Sequence, residues 1–283
     1  MRRRKTFAVH AFIRVLSITA FIAVLTFIFT LFALVFVKSR DHLNVHFLTD
    51  SPKGFPLGSE GGIFPAIMGS IGFTWVACVF STFLSFMTAV YLQFYCSNGK
   101  YKQLMRVVIG MLAGIPSIIL GLFGYSFLVV RLGFGISILS GGLVLGLMVF
   151  PYMTIRFERI FTAIADRYEA GSYAMGVNTV YYILHVVLPL AWRDMVSTMS
   201  FVSGMAMGAS APLLLTGAVF YAKAPKSLLS PAMALPLHLY HLLSESISLE
   251  NAFASAAVLL LILILLNVLT WLFGYYGDEK WMS

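Results

Sequence analysis

Six long apolar stretches constrain the fold of this chain more than any other feature of its sequence. None of them contains an Asp, Glu, Lys, Arg or His residue. Each is long enough, at about 1.5 Å per helical residue, to cross the roughly 30 Å hydrocarbon layer of a membrane. Because unpaired backbone groups are costly in lipid, we expect these stretches to fold as helices. They are Val15–Val37, Ile63–Tyr95, Val107–Val130, Gly133–Ile155, Met195–Phe220 and Ala252–Tyr276.

The composition is that of a membrane protein and excludes a soluble one. Hydrophobic types make up 60% of the 283 residues and charged types only 11%, whereas soluble domains usually have about 25% charged residues. We therefore predict an all-α integral membrane protein with about six transmembrane helices, surrounded by lipid. The net charge of +8 is carried by segments between the apolar stretches, which indicates membrane topology and not nucleic-acid binding.

The basic residues between the stretches predict the orientation of the chain, because Lys and Arg accumulate on the cytoplasmic side. With the N-terminus in the cytoplasm, thirteen of the 19 Lys and Arg residues lie inside and six lie outside. We therefore expect both termini to be cytoplasmic. The inside residues are Arg2, Arg3, Arg4, Lys5, Arg14, Lys100, Lys102, Arg106, Arg156, Arg159, Arg167, Arg193 and Lys280; the outside residues are Lys38, Arg40, Lys53, Arg131, Lys223 and Lys226.

Three connections between the stretches are too long to be simple turns. Lys38–Gly62 and Tyr221–Asn251 contain several Pro residues and are predicted to lie outside. The second of them includes apolar residues that could form a short re-entrant helix. Segment 156–194 is predicted to lie inside, and its length of about 40 residues indicates a structure of its own.

The apolar stretches also limit how transport could be driven. Carriers coupled to protons or sodium usually have carboxylate or histidine side chains near the middle of the membrane, and these stretches have none. The ATP-binding pattern G-x-x-x-x-G-K-[ST] is absent from the sequence. We therefore expect no catalytic residue and no enzyme activity in this chain, with any ATP hydrolysis in a separate partner. The Cys and His spacings predict no metal site.

Residues Glu169–Pro189 read EAGSYAMGVNTVYYILHVVLP. This segment resembles the cytoplasmic loop of ABC-importer permeases, which has the form EAA, three residues, Gly, nine residues and I-x-L-P. Counted from Gly176, Val186 stands at the Ile position, and Leu188 and Pro189 are in register. The pattern predicts a helix, a glycine that allows a sharp turn, and a second helix that leads into the membrane.

The loop departs from the family pattern at its start. Ala170 stands where glutamate is usual, Gly171 stands at the first alanine position, and Glu169 lies one residue early. The resemblance implies that this region contacts an ATPase and transmits its closing. The residues implied in that contact are Asp166, Glu169, Ala170, Gly171, Gly176, Leu188 and Pro189.

Further motifs between Gly61 and Gly217 resemble one subfamily, the PstA-type permeases of bacterial phosphate ABC importers. A single motif carries little information, but their common order and spacing are specific. The motifs are GGIFPAIMG at 61–69, GIPSI at 114–118, GLFG at 121–124, LSGGL at 139–143 with Pro151 and Glu158, SYAMG at 172–176, and APLL at 211–214 with Thr216.

The subfamily resemblance implies a type I, MetI-like permease fold with a cytoplasmic coupling helix, in the bacterial inner membrane. It implies a heterodimer with a second homologous permease, two ATPase subunits that use ATP and Mg, and a periplasmic or lipid-anchored phosphate-binding protein. This chain itself would bind no cofactor. Its expected parts are 1–60 (tail, first helix and outside loop), 61–277 (transmembrane domain with the coupling loop at about 156–194) and 278–283 (cytoplasmic tail).

The fifth stretch departs from the subfamily in the expected pore. The usual pattern is R-x-x-G-E-T-A-P, and here Met205 replaces the Arg and Ala209 replaces the Glu. The two positions are about one helical turn apart, so losing both avoids an unpaired buried charge. Either the partner permease or hydroxyl groups supply the polarity, or the substrate differs. The candidate path residues are Ser117, Ser203, Met205, Ala209, Ser210 and Pro212.

The sequence leaves several functions open. The leading hypothesis is a permease subunit that forms half of the translocation path of an ATP-driven phosphate importer. The chain could also be an ABC permease for another oxyanion or small solute. An ATPase-independent secondary transporter or channel, and a membrane scaffold that transports nothing, are further alternatives.

Overall fold

The computed structural model describes residues 2–278 of the chain, and the side chains of residues 12–272. Lys280 and the expected tail beyond Asp278 lie outside the described residues, as do the side chains of residues 2–5. The α-helices of the described part are α1 (Arg2–Ser39), α2 (Val45–Thr49), α3 (Phe64–Val90), α4 (Gly99–Ala113), α5 (Ser117–Gly124), α6 (Ile138–Ala174), α7 (Thr179–Tyr182), α8 (Leu188–Gly208), α9 (Leu213–Thr216), α10 (Leu235–Ser244) and α11 (Leu249–Asp278).

Shorter elements connect these helices. π-Helical segments extend three of them, at Tyr91–Tyr95, Tyr125–Arg131 and Ile183–Val187. Two strands of two residues each, β1 (Pro52–Lys53) and β2 (Glu60–Gly61), form an antiparallel pair in the connection Lys38–Gly62. The sequence does not predict this pair, because strands of two residues are too short to show an alternating pattern.

The helical membrane fold expected from the sequence is confirmed. Four helical segments are long and apolar enough to cross a membrane, and the bent pair α4 and α5 passes the same test as one unit. Among the described residues this makes up to five candidate spans, and α8, which contains the first part of the fifth apolar stretch, is not one of them. The four segments are Phe12–Ser39, Phe64–Tyr95, Ile138–Ala174 and Leu249–Leu272.

The third apolar stretch, Val107–Val130, is not the single straight helix that its composition predicts. Its halves, 99–113 and 117–131, meet at an angle of 93°. Gly114 follows the last residue of α4, and Pro116 precedes the first residue of α5. Proline has no backbone N–H and disfavours helical geometry in the residue before it. The GIPSI motif therefore forms a sharp corner between two helices.

The boundary expected at Ile155, between a fourth membrane helix and the inside segment, is wrong. Helix α6 continues for 37 residues, from Ile138 to Ala174. The Ser137 side chain begins it by accepting a hydrogen bond from the Ser140 amide, as N-capping residues do. Polar residues after Ile155 alternate with buried Phe157 and Phe161, so one face of the helix stays apolar and the helix does not end.

The fifth stretch, Met195–Phe220, is not one continuous helix, as Gly208 and Pro212 within it indicate. Helix α8 begins earlier, at Leu188, and ends at Gly208. A break at residues 209–212 separates it from the short helix α9. The sequence GASAP across the break combines a glycine with a proline, which disfavour a continuing helix for different reasons.

Glycines bring α3 and α6 into close contact. A Cβ on Gly142 would lie 2.6 Å from Val76 Cγ1 and 3.1 Å from the Phe73 carbonyl oxygen. A Cβ on Gly146 would lie 3.1 Å from the Ala77 carbonyl oxygen. Small residues of this kind let membrane helices approach closely. The LSGGL motif therefore contributes a packing surface, and the main hydrophobic core extends from this contact to α8.

The connection Tyr221–Asn251 is folded against the ends of α3 and α11. It contains α10, the short helix that the sequence allowed for. The Leu235 amide donates to Ser70 Oγ of α3 (2.8 Å). The Asn251 side chain donates to the carbonyl oxygens of Gly58 (2.9 Å) and Ser59 (3.0 Å). These bonds link the connections Lys38–Gly62 and Tyr221–Asn251 to the helix ends.

The α3–α6 contact predicts the cost of adding one methyl group. We expect Gly142→Ala to lower the stability by about 1–3 kcal/mol, because the new Cβ overlaps Val76. Gly110→Ala in α4 is the matched control, since its Cβ would meet no atom within 4 Å and alanine favours a helix. Thermal unfolding midpoints of the purified protein in detergent measure both. Equal midpoints for the two variants would contradict the contact.

Candidate coupling surface and substrate path

A tight turn at the end of α6 forms the centre of the candidate coupling surface. Met175 caps α6, and Gly176 follows with φ of +77°, a backbone angle that glycine adopts freely. The Gly176 amide donates to the Tyr173 carbonyl (3.0 Å), and the Val177 amide donates to the Ser172 carbonyl (3.2 Å). These bonds are the Schellman arrangement that closes a helix. A Cβ on residue 176 would meet no atom within 4 Å, so the backbone angle alone requires glycine.

The helix after the turn continues without a break to Gly208. It begins where the Asn178 side chain accepts a hydrogen bond from the Tyr181 amide (2.8 Å). Helix α7, the π-helical segment Ile183–Val187 and α8 follow each other directly. The π-helical segment ends just before Pro189, which has no N–H for a helical hydrogen bond. The turn at Gly176 therefore joins α6 directly to the helix that becomes α8, and both belong to the main core.

The residues implied in the ATPase contact surround this turn. Most of them lie in the last three turns of α6, and two lie at the start of α8. The structure therefore brings the two halves of the sequence motif to the two arms of one turn. Asp166, Ala170, Gly171, Gly176 and Pro189 are exposed, whereas Glu169 and Leu188 are half-buried.

Sequence reasoning missed three apolar side chains beside the turn. Met175 is 78% exposed, Val180 is 56% exposed and Leu184 is 53% exposed. Val180 and Leu184 are four residues apart and so share one face of their helix. A cluster of exposed apolar side chains next to a polar turn is typical of a protein contact. The i, i+4 spacing in a segment predicted to lie inside is the signal that could have found them.

Aromatic rings, of which those of Tyr182 and Phe161 are buried, connect the turn to the core. The Tyr182 ring centroid lies 5.9 Å from that of Tyr173 and 5.9 Å from that of Phe94, and Phe94 lies 6.1 Å from Phe161 of α6. The Tyr182 hydroxyl is buried without a hydrogen-bond partner among the described residues. Burial, with smaller contributions from Glu169 and Tyr173, raises the pKa of Tyr182 to about 12, so this hydroxyl stays neutral.

Three of the candidate path residues already have partners within this chain. The Ser203 hydroxyl donates to the Met199 carbonyl (2.8 Å) and lies 3.4 Å from Cys78 Sγ. Met205 and Ala209 are half-buried and pack against the main core. The two positions that carry charges in the resembled subfamily therefore take part in hydrophobic packing here.

The other three candidates lie where α5 meets the break after α8. Ser117 begins α5, and Ser210 and Pro212 lie in the break. A Cβ on Gly121 would lie 2.9 Å from Pro212 Cα, so the GLFG motif packs against the APLL motif. Ser117 and Ser210 are half-buried, and no hydrogen bond to either hydroxyl is found among the described residues.

An ion pair between α4 and the middle of α6 was not foreseen as a pair. Arg106 of α4 approaches one carboxylate oxygen of Glu158, Oε1, with Nη2 at 2.7 Å and Nε at 2.9 Å. The Glu158 side chain is only 10% exposed, whereas Arg106 is 51% exposed. Nearby, Gln93 Oε1 accepts hydrogen bonds from Thr162 (2.9 Å) and Lys102 (3.2 Å). These contacts attach α4 to α6.

Among the described residues, no three His, Cys, Asp or Glu side chains are grouped to hold a metal.

Comparison with known proteins shows a family match over most of the chain. Residues 81–281 match the family described as binding-protein-dependent transport system inner membrane component. A Methanocaldococcus jannaschii protein described as a probable phosphate transport system permease protein PstA is 29% identical over 210 residues, 74% of this chain and 74% of that protein. A Mycobacterium tuberculosis phosphate transport system permease protein, PstA 1, is 32% identical over 167 residues, 59% of this chain and 55% of that protein.

A solved structure has a similar fold. One chain of the MetNI methionine ABC transporter, in an inward-facing conformation, is similar with a TM-score of 0.57 and 19% sequence identity. The similarity covers 76% of this chain and 92% of that chain. At this identity the comparison shows the fold alone.

The unequal burial of Arg106 and Glu158 predicts unequal effects of removing them. We expect Arg106→Gln to lower the stability by about 1–3 kcal/mol, because it leaves a nearly buried carboxylate without its partner. Glu158→Gln should cost less, since the remaining guanidinium is half exposed and can be hydrated. The double variant should recover part of the loss. Thermal midpoints in detergent measure all three, and a larger loss for Glu158→Gln would contradict this reasoning.

Proposed function

The chain belongs to the family of binding-protein-dependent transport system inner membrane components, and we propose that it is a permease subunit of an ATP-driven phosphate importer. In this role it forms half of the translocation path. Relatives of the chain from M. jannaschii and M. tuberculosis are described as phosphate transport system permeases. The solved relative with a similar fold belongs to a methionine ABC transporter, so the fold alone does not choose the substrate.

The turn at Gly176 is the observation that carries this proposal. It is exposed, it is bordered by the apolar side chains of Met175, Val180 and Leu184, and its two arms lead directly into α6 and α8. A partner subunit that binds this turn can therefore move two core helices together. This is the arrangement that a transporter needs when the energy for its motion comes from another subunit.

The proposed assembly follows from the family. Two ATPase subunits bind ATP and Mg and contact the permeases at the turn, and a second homologous permease completes the path. A periplasmic or lipid-anchored binding protein delivers the anion. The chain is multi-pass in the bacterial inner membrane, with both termini cytoplasmic, and the Lys and Arg distribution supports this orientation.

A second candidate, a permease for another oxyanion or small solute, is favoured by one observation. Met205 and Ala209 lie in apolar packing, where the subfamily pattern has Arg and Glu. An anion path that lacks this arginine on one side depends on the partner permease, or on other donors, for its positive charge.

The decisive experiment is labelled phosphate uptake in a strain without its own phosphate permease. The cognate partner permease, ATPase and binding protein are supplied with and without this chain. We expect uptake that requires both this chain and an ATPase able to hydrolyse ATP. If the assembled complex hydrolyses ATP but takes up no phosphate, its substrate is another solute. Competition among unlabelled oxyanions would then identify that solute.

The positive φ at Gly176 predicts which substitutions preserve coupling. Gly176→Val should uncouple transport, because a β-branched residue strains the left-handed backbone by about 1–2 kcal/mol and distorts the turn. Gly176→Asn is the matched control, since asparagine tolerates this conformation. The ratio of phosphate transported to ATP hydrolysed, in reconstituted vesicles, separates coupling from assembly. An unchanged ratio in the valine variant would rule out the docking role of the turn.

A further inference from the structure

Three cavities open along the cytoplasmic half of α6, and Arg159 lines all of them. Their volumes are about 380, 550 and 260 Å³. The largest also reaches the Arg106–Glu158 pair, and the one of 380 Å³ extends toward Arg167 and Tyr168. Arg159 is exposed to this space. The side chain therefore stands where concave surfaces from both sides of α6 meet.

The guanidinium of Arg159 has no ion pair, hydrogen bond or ring contact with the described residues. Arg106, by contrast, is paired with Glu158. Arg156 lies 4.5 Å from the centroid of the Phe201 ring and Arg167 lies 5.6 Å from that of Tyr168, and no hydrogen bond or ion pair of Arg156 is found among the described residues. A guanidinium is always charged and has a planar fork of N–H donors that fits an oxyanion. Arg159 therefore retains its full capacity to bind one.

The smallest cavity lies between α6 and α8 and contains a second guanidinium. Arg156 and Arg159 line it from α6, and Asp194, Ser197 and Thr198 line it from α8. The two hydroxyl groups already donate to carbonyl oxygens, Thr198 to Asp194 (2.7 Å) and Ser197 to Thr270 (3.3 Å). The guanidinium groups are therefore its main donors. Two cations and one carboxylate line the cavity, which leaves it net positive.

The position of this cavity relates it to the substrate path. Thr198 precedes Met205 by seven residues on α8, which is about two turns and places both on the same face, about 10 Å apart. The cavity thus lies toward the cytoplasm from the position where the subfamily pattern has an arginine. A positive charge that is missing at residue 205 is present further along the same helix pair.

We propose that Arg156 and Arg159 form a binding site for a phosphate-type oxyanion at the cytoplasmic end of the path. This assignment rests on the proposed function, which it deepens by naming the groups that receive the anion on this chain. Each guanidinium can donate two parallel hydrogen bonds to one oxyanion. The same chemistry is presented by free phosphate and by the phosphate of an anionic lipid headgroup.

The test measures binding to the full chain in phosphatidylcholine nanodiscs, without ATPase or binding protein. The probe is radiolabelled inorganic phosphate, titrated into wild type and the Arg156→Gln/Arg159→Gln variant. We expect binding to weaken about tenfold or more in the variant, because charge-assisted hydrogen bonds are lost. Arg167→Gln, the same change on the same helix but outside the smallest cavity, should bind as wild type does. Thermal midpoints confirm that each variant is folded.

A second arm distinguishes the two sources of phosphate. Nanodiscs are formed with phosphatidylglycerol, and the lipid retained per chain after transfer to phosphatidylcholine is counted. In one outcome, only the double variant loses retained phosphatidylglycerol, and wild type binds no inorganic phosphate. This outcome supports the oxyanion site with a lipid as its ligand. The site is overturned if wild type and the double variant bind phosphate equally and retain lipid equally. It is also overturned if Arg167→Gln loses as much binding as the double variant does.

The two proposals fail in different experiments. If the binding test overturns the site but phosphate uptake requires the chain, the assignment of Arg156 and Arg159 is removed. The proposal that the chain belongs to a phosphate importer then stands. If oxyanion binding is lost only in the double variant and an active complex takes up no phosphate, the site stands. Phosphate is then not the transported solute.

Discussion

Close contact between α3 and α6 depends on the missing side chains of Gly142 and Gly146. In a membrane, burying apolar surface against another helix gains little because lipid is equally apolar, so helices associate through short-range packing. A Cβ at Gly142 would overlap Val76, which shows how near the two backbones lie. Helix α8 packs on this pair, and α5 is placed against α6 by Gly124, where a Cβ would overlap Val144. The turn at Gly176 joins α6 to the helix that becomes α8, so its position depends on this packing.

Much of this fold could be predicted from the sequence, because lipid tolerates few structures. Apolar stretches without charges give the helices α3 and α11 almost to their ends, whereas α1 begins at Arg2, 13 residues before the stretch that predicts it. The spacing around Gly176 predicts a glycine turn between two helices, and the structure has it there with a positive φ. Hydropathy depends on composition and does not report the direction of a helix axis. It therefore did not predict the 93° corner at Gly114–Pro116 or the break after Gly208. Both were signalled locally by glycine and proline.

Contacts between distant residues were harder to foresee. Arg106 and Glu158 are 52 residues apart in the chain, and without the path of α4 nothing in the sequence pairs them. The exposed Met175 and the packed Met205 show the same limit, because one residue type serves a surface in one place and a core in another. The subfamily motifs did carry long-range information. GLFG and APLL meet at Gly121 and Pro212, so what reads as a family signature is in part a record of close packing.

The end of α8 at Gly208 has an electrostatic consequence. The peptide dipoles of a helix sum to about half a negative charge at its C-terminal end, and the effect fades within about one turn. In α8 that end lies at Met205–Gly208, where no arginine is present to oppose it. An anion that passes close to this end is repelled by the last carbonyl groups of the helix. On the proposed path, the end of α8 would therefore act as a barrier to an anion, and the rate of passage would depend on how far the facing subunit lowers it.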